Sequence, residues 1–164
     1  MIVTLRNFID TDANLLILYL NDDNVTKYIT DAIPQPYTES DAHWWINNFR
    51  DSEYIKAIEY EGRLVGCISA NKGDYEYSCG AELGYWIGSA FWNKGIATEA
   101  IRIFSKLLLK NTQLVRLFVS VVSDNIASIR VLEKNDYCHE GILKKASFKN
   151  NQYYDEYLLA KIST

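Results

Sequence analysis

The most constraining feature of the sequence is a strand, a glycine turn and a helix in immediate succession. Residues 81–87 read AELGYWI, an apolar strand-like run, and residues 91–104 read FWNKGIATEAIRIF. The first half of the second stretch carries the Asn, Lys and Gly of a polar turn. In its second half Ala97, Ala100 and Phe104 recur at helical spacing, which predicts an amphipathic helix. The start of a helix is therefore expected directly beyond the end of a strand.

The rest of the chain alternates strand-like runs with amphipathic segments. Two helices are predicted early, the first capped by Asp10 or Thr11 and the second opened by a capping box from Thr38 to Asp41. A meander of strands follows, then a strand–helix–strand–helix unit and two final strands, with a turn at Glu61-Gly62-Arg63. This order predicts an α/β (α+β) protein with a mixed sheet and helices on both faces.

Length and composition set the remaining bounds. A chain of 164 residues fits one domain over residues 1–164. The net charge of −4 and the absence of a Lys/Arg block argue against a nucleic-acid partner. No apolar run has the length of a membrane span, and the N-terminus lacks the features of a secretion signal, so a cytoplasmic location is expected.

Cysteine and histidine usage predicts neither disulfides nor a metal. The three cysteines, Cys67, Cys79 and Cys138, are odd in number and widely spaced. We expect them to be small buried hydrophobes, with an exposed thiol as the alternative. His43 and His139 lie far apart in the sequence without a matching cluster of ligands, so no metal site is predicted.

The glycine turn has the features of an anion-binding site. The first N–H groups of a helix have no intrahelical partner and carry partial positive charge. Gly95 allows close approach of a ligand, Lys94 adds a cation and Thr98 a hydroxyl, which suits a phosphate. Lys94 precedes Gly95, so the turn is not a nucleotide P-loop, and two glycines of the dinucleotide fingerprint are missing. On local pattern, an ordinary helix start remains the alternative.

Across nearly its whole length the sequence resembles the GNAT superfamily of acyl-CoA-dependent N-acetyltransferases, and within it the ribosomal-protein N-terminal (Rim-type) branch. The resemblance is carried by AELGYWI, WNKGIATEA, LFVSVVSDNIASIRVLEKNDY and CHEGILKK. The family turn is Gln/Arg-x-x-Gly-x-Gly/Ala. Residues 92–97 fill it here, with Trp92 in place of the leading Gln/Arg. The family's Asn-x-x-Ser helix is matched by Asn125 and Ser128.

The resemblance implies the GNAT fold, a mostly antiparallel sheet of about seven strands in the order β1-α1-α2-β2-β3-β4-α3-β5-α4-β6-β7. It also implies acetyl-CoA as the co-substrate and no metal. The turn would hold the pyrophosphate, a strand end would pair with the pantetheine arm, and the Asn-x-x-Ser residues would lie beside that arm and the thioester. The implied cofactor-binding residues are Tyr85, Trp86, Ile87, Trp92, Asn93, Lys94, Gly95, Ile96, Ala97, Thr98, Asn125 and Ser128.

Amine acetylation requires a neutral amine, although such amines have a pKa of about 8 to 10. Glu82, an ionisable residue in an apolar strand, is the candidate general base, with a solvent-facing carboxylate as the alternative. Many relatives use a Tyr to protonate the leaving thiolate, but Leu132 stands at that position. Ser128 is therefore the candidate donor, with an ordinary first-turn serine as the alternative. The N–H of Ile87 is the candidate oxyanion donor by the same resemblance.

The acceptor is expected to be a primary amine, either a protein or peptide N-terminus or a small amine. Candidate acceptor-site residues are Glu82 and, from loops that flank this site in the family, Tyr28, Tyr37 and Tyr153, with core packing as the alternative for each tyrosine. Exposed aromatic residues could form a homodimer face. A non-catalytic acyl-CoA sensor on the same fold is the alternative function.

Overall fold

A computed structural model describes residues 2–163 and contains one seven-stranded sheet. Its strands are β1 (Val3–Arg6), β2 (Ile55–Tyr60), β3 (Arg63–Lys72), β4 (Gly80–Ile87), β5 (Arg116–Val122), β6 (Cys138–Lys149) and β7 (Gln152–Ile162). The strands are ordered β1-β2-β3-β4-β5-β7-β6. The β4–β5 pair is parallel, whereas β1–β2, β2–β3, β5–β7 and β6–β7 are antiparallel. The predicted mixed, mostly antiparallel sheet is confirmed.

The helices follow the predicted order, with one short addition. They are α1 (Ala13–Leu20), α2 (Asp23–Thr26), α3 (Glu39–Phe49), α4 (Ile96–Asn111) and α5 (Ile126–Glu133). The short α2 lies between the two early helices that the sequence predicts. No helix within residues 2–163 combines the length and the apolar character needed to cross a bilayer.

One predicted helix cap is confirmed and one is wrong. At α3 the backbone N–H of Thr38 donates to Asp41 Oδ2 at 2.8 Å, and the Asp41 N–H donates to Thr38 Oγ1 at 3.3 Å. Neither Asp10 nor Thr11 caps α1, because a short 3-10 turn over Asp10–Asp12 precedes that helix. The carboxylate of Asp12 instead accepts two hydrogen bonds from Arg6, at 2.7 and 2.9 Å.

The chain forms two compact units. The first contains residues up to Ser69 together with Tyr85–Ala100, and the second contains Ala70–Gly84 and the residues from Ile101 onward. The first unit has a core cluster drawn from the segment after β1 and from α1, α3, β2 and β3, whose members include Phe8, Leu16, Leu20, Ala42, Ile46, Ala57 and Leu64. A single domain over residues 1–164 stays a prediction.

In the second unit, β5 shows clear alternation. Leu117, Val119 and Val121 are buried, while the residues between them are partly exposed, as expected of a strand with one face on the core. The cysteine prediction holds for Cys67 alone, since Cys79 and Cys138 are exposed. Cys79 lies just before β4, and Cys138 begins β6, which forms an edge of the sheet.

Candidate active site

The turn before α4 is built from two residues in the left-handed region. Asn93 has φ of 60° and Gly95 has φ of 75°. The helical hydrogen bonding begins with Glu99 N–H donating to the carbonyl of Gly95 at 3.1 Å. The amides of Ile96 and Ala97 therefore lie ahead of the helix's own hydrogen-bond ladder. Ile96 is buried, which anchors the helix start while the turn itself stays exposed.

Trp92 ties this turn to the end of β4. Its indole Nε1 donates to the carbonyl oxygen of Ile87 at 2.8 Å. Two cations lie over the neighbouring ring of Phe91, Lys94 Nζ at 5.1 Å and the Arg63 guanidinium carbon at 5.9 Å from the ring centroid. Sequence reasoning identified Lys94 and missed Arg63, because Arg63 belongs to the hairpin that joins β2 to β3. The turn is therefore positively charged and held against the strand end.

The end of β4 runs unusually close to β3. A Cβ placed on Gly66 would lie 2.2 Å from the carbonyl oxygen of Trp86 and 2.9 Å from Cδ1 of Ile87. The N–H of Gly88 donates to the carbonyl of Val65 at 2.8 Å. Gly66 was missed by sequence reasoning, although a glycine inside an apolar strand is a known sign of close backbone approach. Because Gly66 has no side chain, residues 86 and 87 of β4 can approach β3 this closely.

Glu82 lies on the face of β4 opposite the buried side chains of Ala81 and Leu83. The side chain is exposed to solvent, yet enough protein surrounds its carboxyl group to disfavour the charged form. This partial desolvation, and secondarily the charge of Glu156, raise the pKa of Glu82. Sequence reasoning missed Glu156, because only the strand register brings this β7 residue opposite Val122 of β5. A carboxyl with a raised pKa is a stronger base once ionised.

Asn125 and Ser128 open α5. Asn125 is the N-cap, and its Oδ1 accepts from the backbone N–H of Ser128 at 3.3 Å. Leu132, at the position where many relatives carry a tyrosine, is fully buried. Tyr137 packs in the core, with its hydroxyl 2.8 Å from Ser105 Oγ.

The three candidate acceptor tyrosines have different surroundings. Tyr28 is half-buried, with Lys27 Nζ 4.8 Å from its ring centroid. Tyr153 is exposed on β7, and its ring centroid lies 4.9 Å from that of Phe148. Tyr37 is buried and lines a cavity.

The cavity has a volume of about 260 Å³ and lies within the first unit. Its walls come from α1, α3, β3, the end of β4 and the loop of residues 30–37. Most of its lining is apolar, and the aromatic residues among it are Tyr37, Trp44, Trp45 and Trp86. Sequence reasoning predicted Tyr37 and Trp86 as binding residues, but it singled out neither Trp44 nor Trp45.

No cluster of three or more His, Cys, Asp or Glu side chains suited to a metal ion occurs within residues 2–163. The two histidines are engaged separately. His139 Nε2 lies 2.9 Å from Glu133 Oε1, and His43 Nε2 lies 3.6 Å from Glu39 Oε1.

Comparison with known proteins identifies the family. Residues 3–137 match the acetyltransferase (GNAT) domain. The chain is 31% identical over 161 residues to the uncharacterized N-acetyltransferase YnaD of Bacillus subtilis (strain 168), a match that covers 95% of this chain and 91% of that protein. It is 32% identical over 102 residues to the ribosomal-protein-serine acetyltransferase of Escherichia coli (strain K12), covering 62% of this chain and 56% of that one.

A solved structure supports the same assignment. The microcin C7 self-immunity acetyltransferase MccE, in complex with acetyl-CoA and AMP, superposes with a TM-score of 0.84 at 27% identity, covering 98% of this chain and 92% of that one. The family match spans most of the chain, and the resemblance to the Rim-type branch is consistent with the ribosomal-protein relative. The chain belongs to the acetyltransferase (GNAT) family and is an N-acetyltransferase.

Proposed function

We propose that the turn of residues 92–98 binds the pyrophosphate of acetyl-CoA, the acetyl donor of this enzyme. The observation that carries the proposal is the hydrogen bond from the Trp92 indole to Ile87, which fixes the turn against the strand end. The left-handed conformations of Asn93 and Gly95, on either side of Lys94, are of the kind that directs successive N–H groups into an anion-binding concavity. The cations Lys94 and Arg63 beside Phe91 favour the same ligand.

The pantetheine arm is proposed to pair with the main chain of Tyr85, Trp86 and Ile87. The parallel register joins Gly80–Glu82 of β4 to β5, and β4 then continues to Ile87. Asn125 would donate a hydrogen bond to the same arm from its amide nitrogen, because its oxygen already caps α5.

Acetyl-CoA supplies an acetyl group activated as a thioester. The amine nitrogen forms a bond to the carbonyl carbon, and the carbon–sulfur bond breaks. Glu82, directly or through a water, accepts the proton that the amine loses, and its raised pKa makes it a better acceptor. The N–H of Ile87 stabilises the negative charge on the carbonyl oxygen. The Ser128 hydroxyl donates a hydrogen bond to the leaving thiolate. Glu82 then releases its proton to solvent and the thiolate takes one up, so that the free thiol and the amide are the products.

The acceptor is proposed to be a primary amine on a peptide N-terminus or a small molecule. The relative that is named a ribosomal-protein-serine acetyltransferase supports a protein acceptor. A thiol-release assay with acetyl-CoA and a panel of peptides, amino-acid amides and polyamines tests this directly. Stabilisation by acetyl-CoA without thiol release on any amine would instead favour a sensor.

A matched pair of glycine variants tests the cofactor site. Gly95 and Gly62 have nearly equal φ values of 75° and 74°, so replacement by alanine imposes similar strain at both. Acetyl-CoA at a hundredfold excess over its Kd should stabilise the wild type by about 2.7 kcal/mol. Gly95→Ala should lose most of this ligand-dependent stabilisation, while Gly62→Ala, in the β2–β3 hairpin, should keep it. Equal ligand-dependent stabilisation of both variants would count against the proposed site.

A further inference from the structure

The cavity of the first unit has a buried floor and an exposed rim. Leu16, Leu20, Tyr37 and Cys67 on its floor are each at most 6% exposed, whereas Ala32 on its rim is exposed. A dry apolar cavity of about 150 Å³ is sufficient to bind benzene. The volume of about 260 Å³ therefore admits a phenyl or isobutyl group. It is smaller than the roughly 300–1,000 Å³ that hold an entire drug-sized ligand.

The floor of the cavity carries no charge at neutral pH. Burial raises the pKa of the Cys67 thiol and of the Tyr37 phenol to about 12 each, so both stay protonated. Among the described lining residues, Asp41 is the one carboxylate. Hydrogen bonds from Thr38 lower its pKa and keep it ionised, and its Oδ2 accepts both of those bonds. The floor itself therefore offers no charge to pair with a polar group, and the lining carboxylate Asp41 disfavours an anionic group.

The cavity walls are held in place from both sides. The amide of Asn21 binds both main-chain groups of Tyr37, donating to its carbonyl at 2.8 Å and accepting from its N–H at 2.9 Å. On the other side, the ring centroids of Trp86 and Tyr19 are 6.0 Å apart, and the Tyr19 hydroxyl donates to the carbonyl of Leu64 at 3.1 Å. A preformed cavity lowers the entropic cost of binding an apolar group.

We propose that this cavity receives a large apolar side chain of the amine acceptor, which makes the substrate class a primary amine adjacent to a phenylalanine- or leucine-sized group. This inference rests on the proposed function. Trp86 links the two, since it lines the cavity and also belongs to the segment proposed to pair with pantetheine. A group in the cavity would thus lie next to Trp86, the chain neighbour of the proposed oxyanion donor Ile87.

The test is thiol release from acetyl-CoA with phenylalaninamide, leucinamide, glycinamide and putrescine, and with two peptides that differ only in a first residue of Phe or Gly. Burial of a side chain of this size predicts that kcat/KM for phenylalaninamide exceeds that for glycinamide by roughly 10- to 100-fold. A preference confined to the amides identifies a small-molecule acceptor, and one confined to the peptides identifies an N-terminus.

Turnover of glycinamide or putrescine at least as fast as phenylalaninamide would overturn this inference and leave acetyl transfer intact. Failure of every amine to release thiol would remove the proposed function and the inference with it.

A matched pair of tryptophan substitutions locates the preference in the cavity. Ala32→Trp fills the rim and should lower the ratio of kcat/KM for phenylalaninamide over glycinamide by about tenfold. Leu18→Trp adds the same side chain at an exposed position of α1 outside the cavity lining and should preserve the ratio. Acetyl-CoA affinity, measured by calorimetry on both variants, shows that each is folded. An unchanged ratio in a folded, acetyl-CoA-binding Ala32→Trp variant would refute the assignment.

Discussion

Gly66→Ala is the substitution for which the structure gives the sharpest expectation. The new Cβ would lie 2.2 Å from the carbonyl oxygen of Trp86, on the strand segment proposed to hold the pantetheine arm. A carbon and an oxygen ordinarily approach no closer than about 3.3–3.6 Å. One of the two backbones must therefore move by about 1 Å, because no flexible side chain can absorb this overlap.

Two effects of this displacement can be measured separately. Overpacking of this kind costs about 1–3 kcal/mol of folding free energy, which chemical denaturation reports. A displacement of about 1 Å in a positioning element can lower the rate about 100-fold, which the kcat/KM of the thiol-release assay reports. We expect Gly66→Ala to show both losses, together with weaker binding of acetyl-CoA.

Gly73→Ala is the matched control. Its Cβ would lie 2.6 Å from the carbonyl oxygen of Tyr77, again a main-chain atom, but in a turn to which no site residue belongs. It should lose stability while kcat/KM stays within about threefold of wild type. At Gly141 a Cβ would meet no atom within 4 Å, so Gly141→Ala should be nearly neutral. The reasoning is refuted if Gly66→Ala retains wild-type kcat/KM, or if Gly73→Ala loses as much.

Three further predictions concern single side chains. Because burial and Glu156 raise the pKa of Glu82, kcat/KM should fall as pH drops through that raised pKa, and Glu82→Gln should be slower and lack this acid limb of the pH–rate profile. The charged form of Glu82 also destabilises the fold, so Glu82→Gln should raise Tm at pH 7 but not below pH about 4.5, where the wild-type carboxyl is protonated in both the folded and the unfolded state. Asn125→Asp should keep the helix cap and the Tm but weaken acetyl-CoA binding, measured by calorimetry, because only the amide donor is lost. Tyr137→Phe should lower the free energy of unfolding by about 1–2 kcal/mol, measured in denaturant, because it removes the hydrogen bond between the Tyr137 hydroxyl and the buried Ser105 hydroxyl.

The sequence predicted those parts of the fold that depend on local pattern. The turn before α4 was found because Gly95 and the apolar spacing of Ala97, Ala100 and Phe104 are neighbours in the chain. The capping box of α3 was found for the same reason. The predicted cap of α1 was wrong because a 3-10 turn over Asp10–Asp12 precedes the helix, and the Asp12 carboxylate there binds Arg6 of β1. A long-range ion pair of this kind leaves no signal in the local sequence.

The parts of the site that the sequence did not predict depend on strand register and packing. Glu156 acts on Glu82 only through the pairing of β4, β5 and β7. The cavity brings together α1, the loop of residues 30–37, α3, β3 and β4, which are far apart in the chain. Tyr37 could be proposed from its place in a loop, whereas the role of Trp44 and Trp45 required the fold itself.

The distribution of tryptophan gives the enzyme a built-in optical reporter. Of its four tryptophans, Trp44, Trp45 and Trp86 line the cavity, and the indole of Trp92 is bonded to the strand end beside the turn. We expect an apolar group that enters the cavity to make the surroundings of these three tryptophans less polar and to shift their emission to shorter wavelength. A ligand at the turn perturbs the fourth, so unlabelled protein can report occupancy of both sites by intrinsic fluorescence.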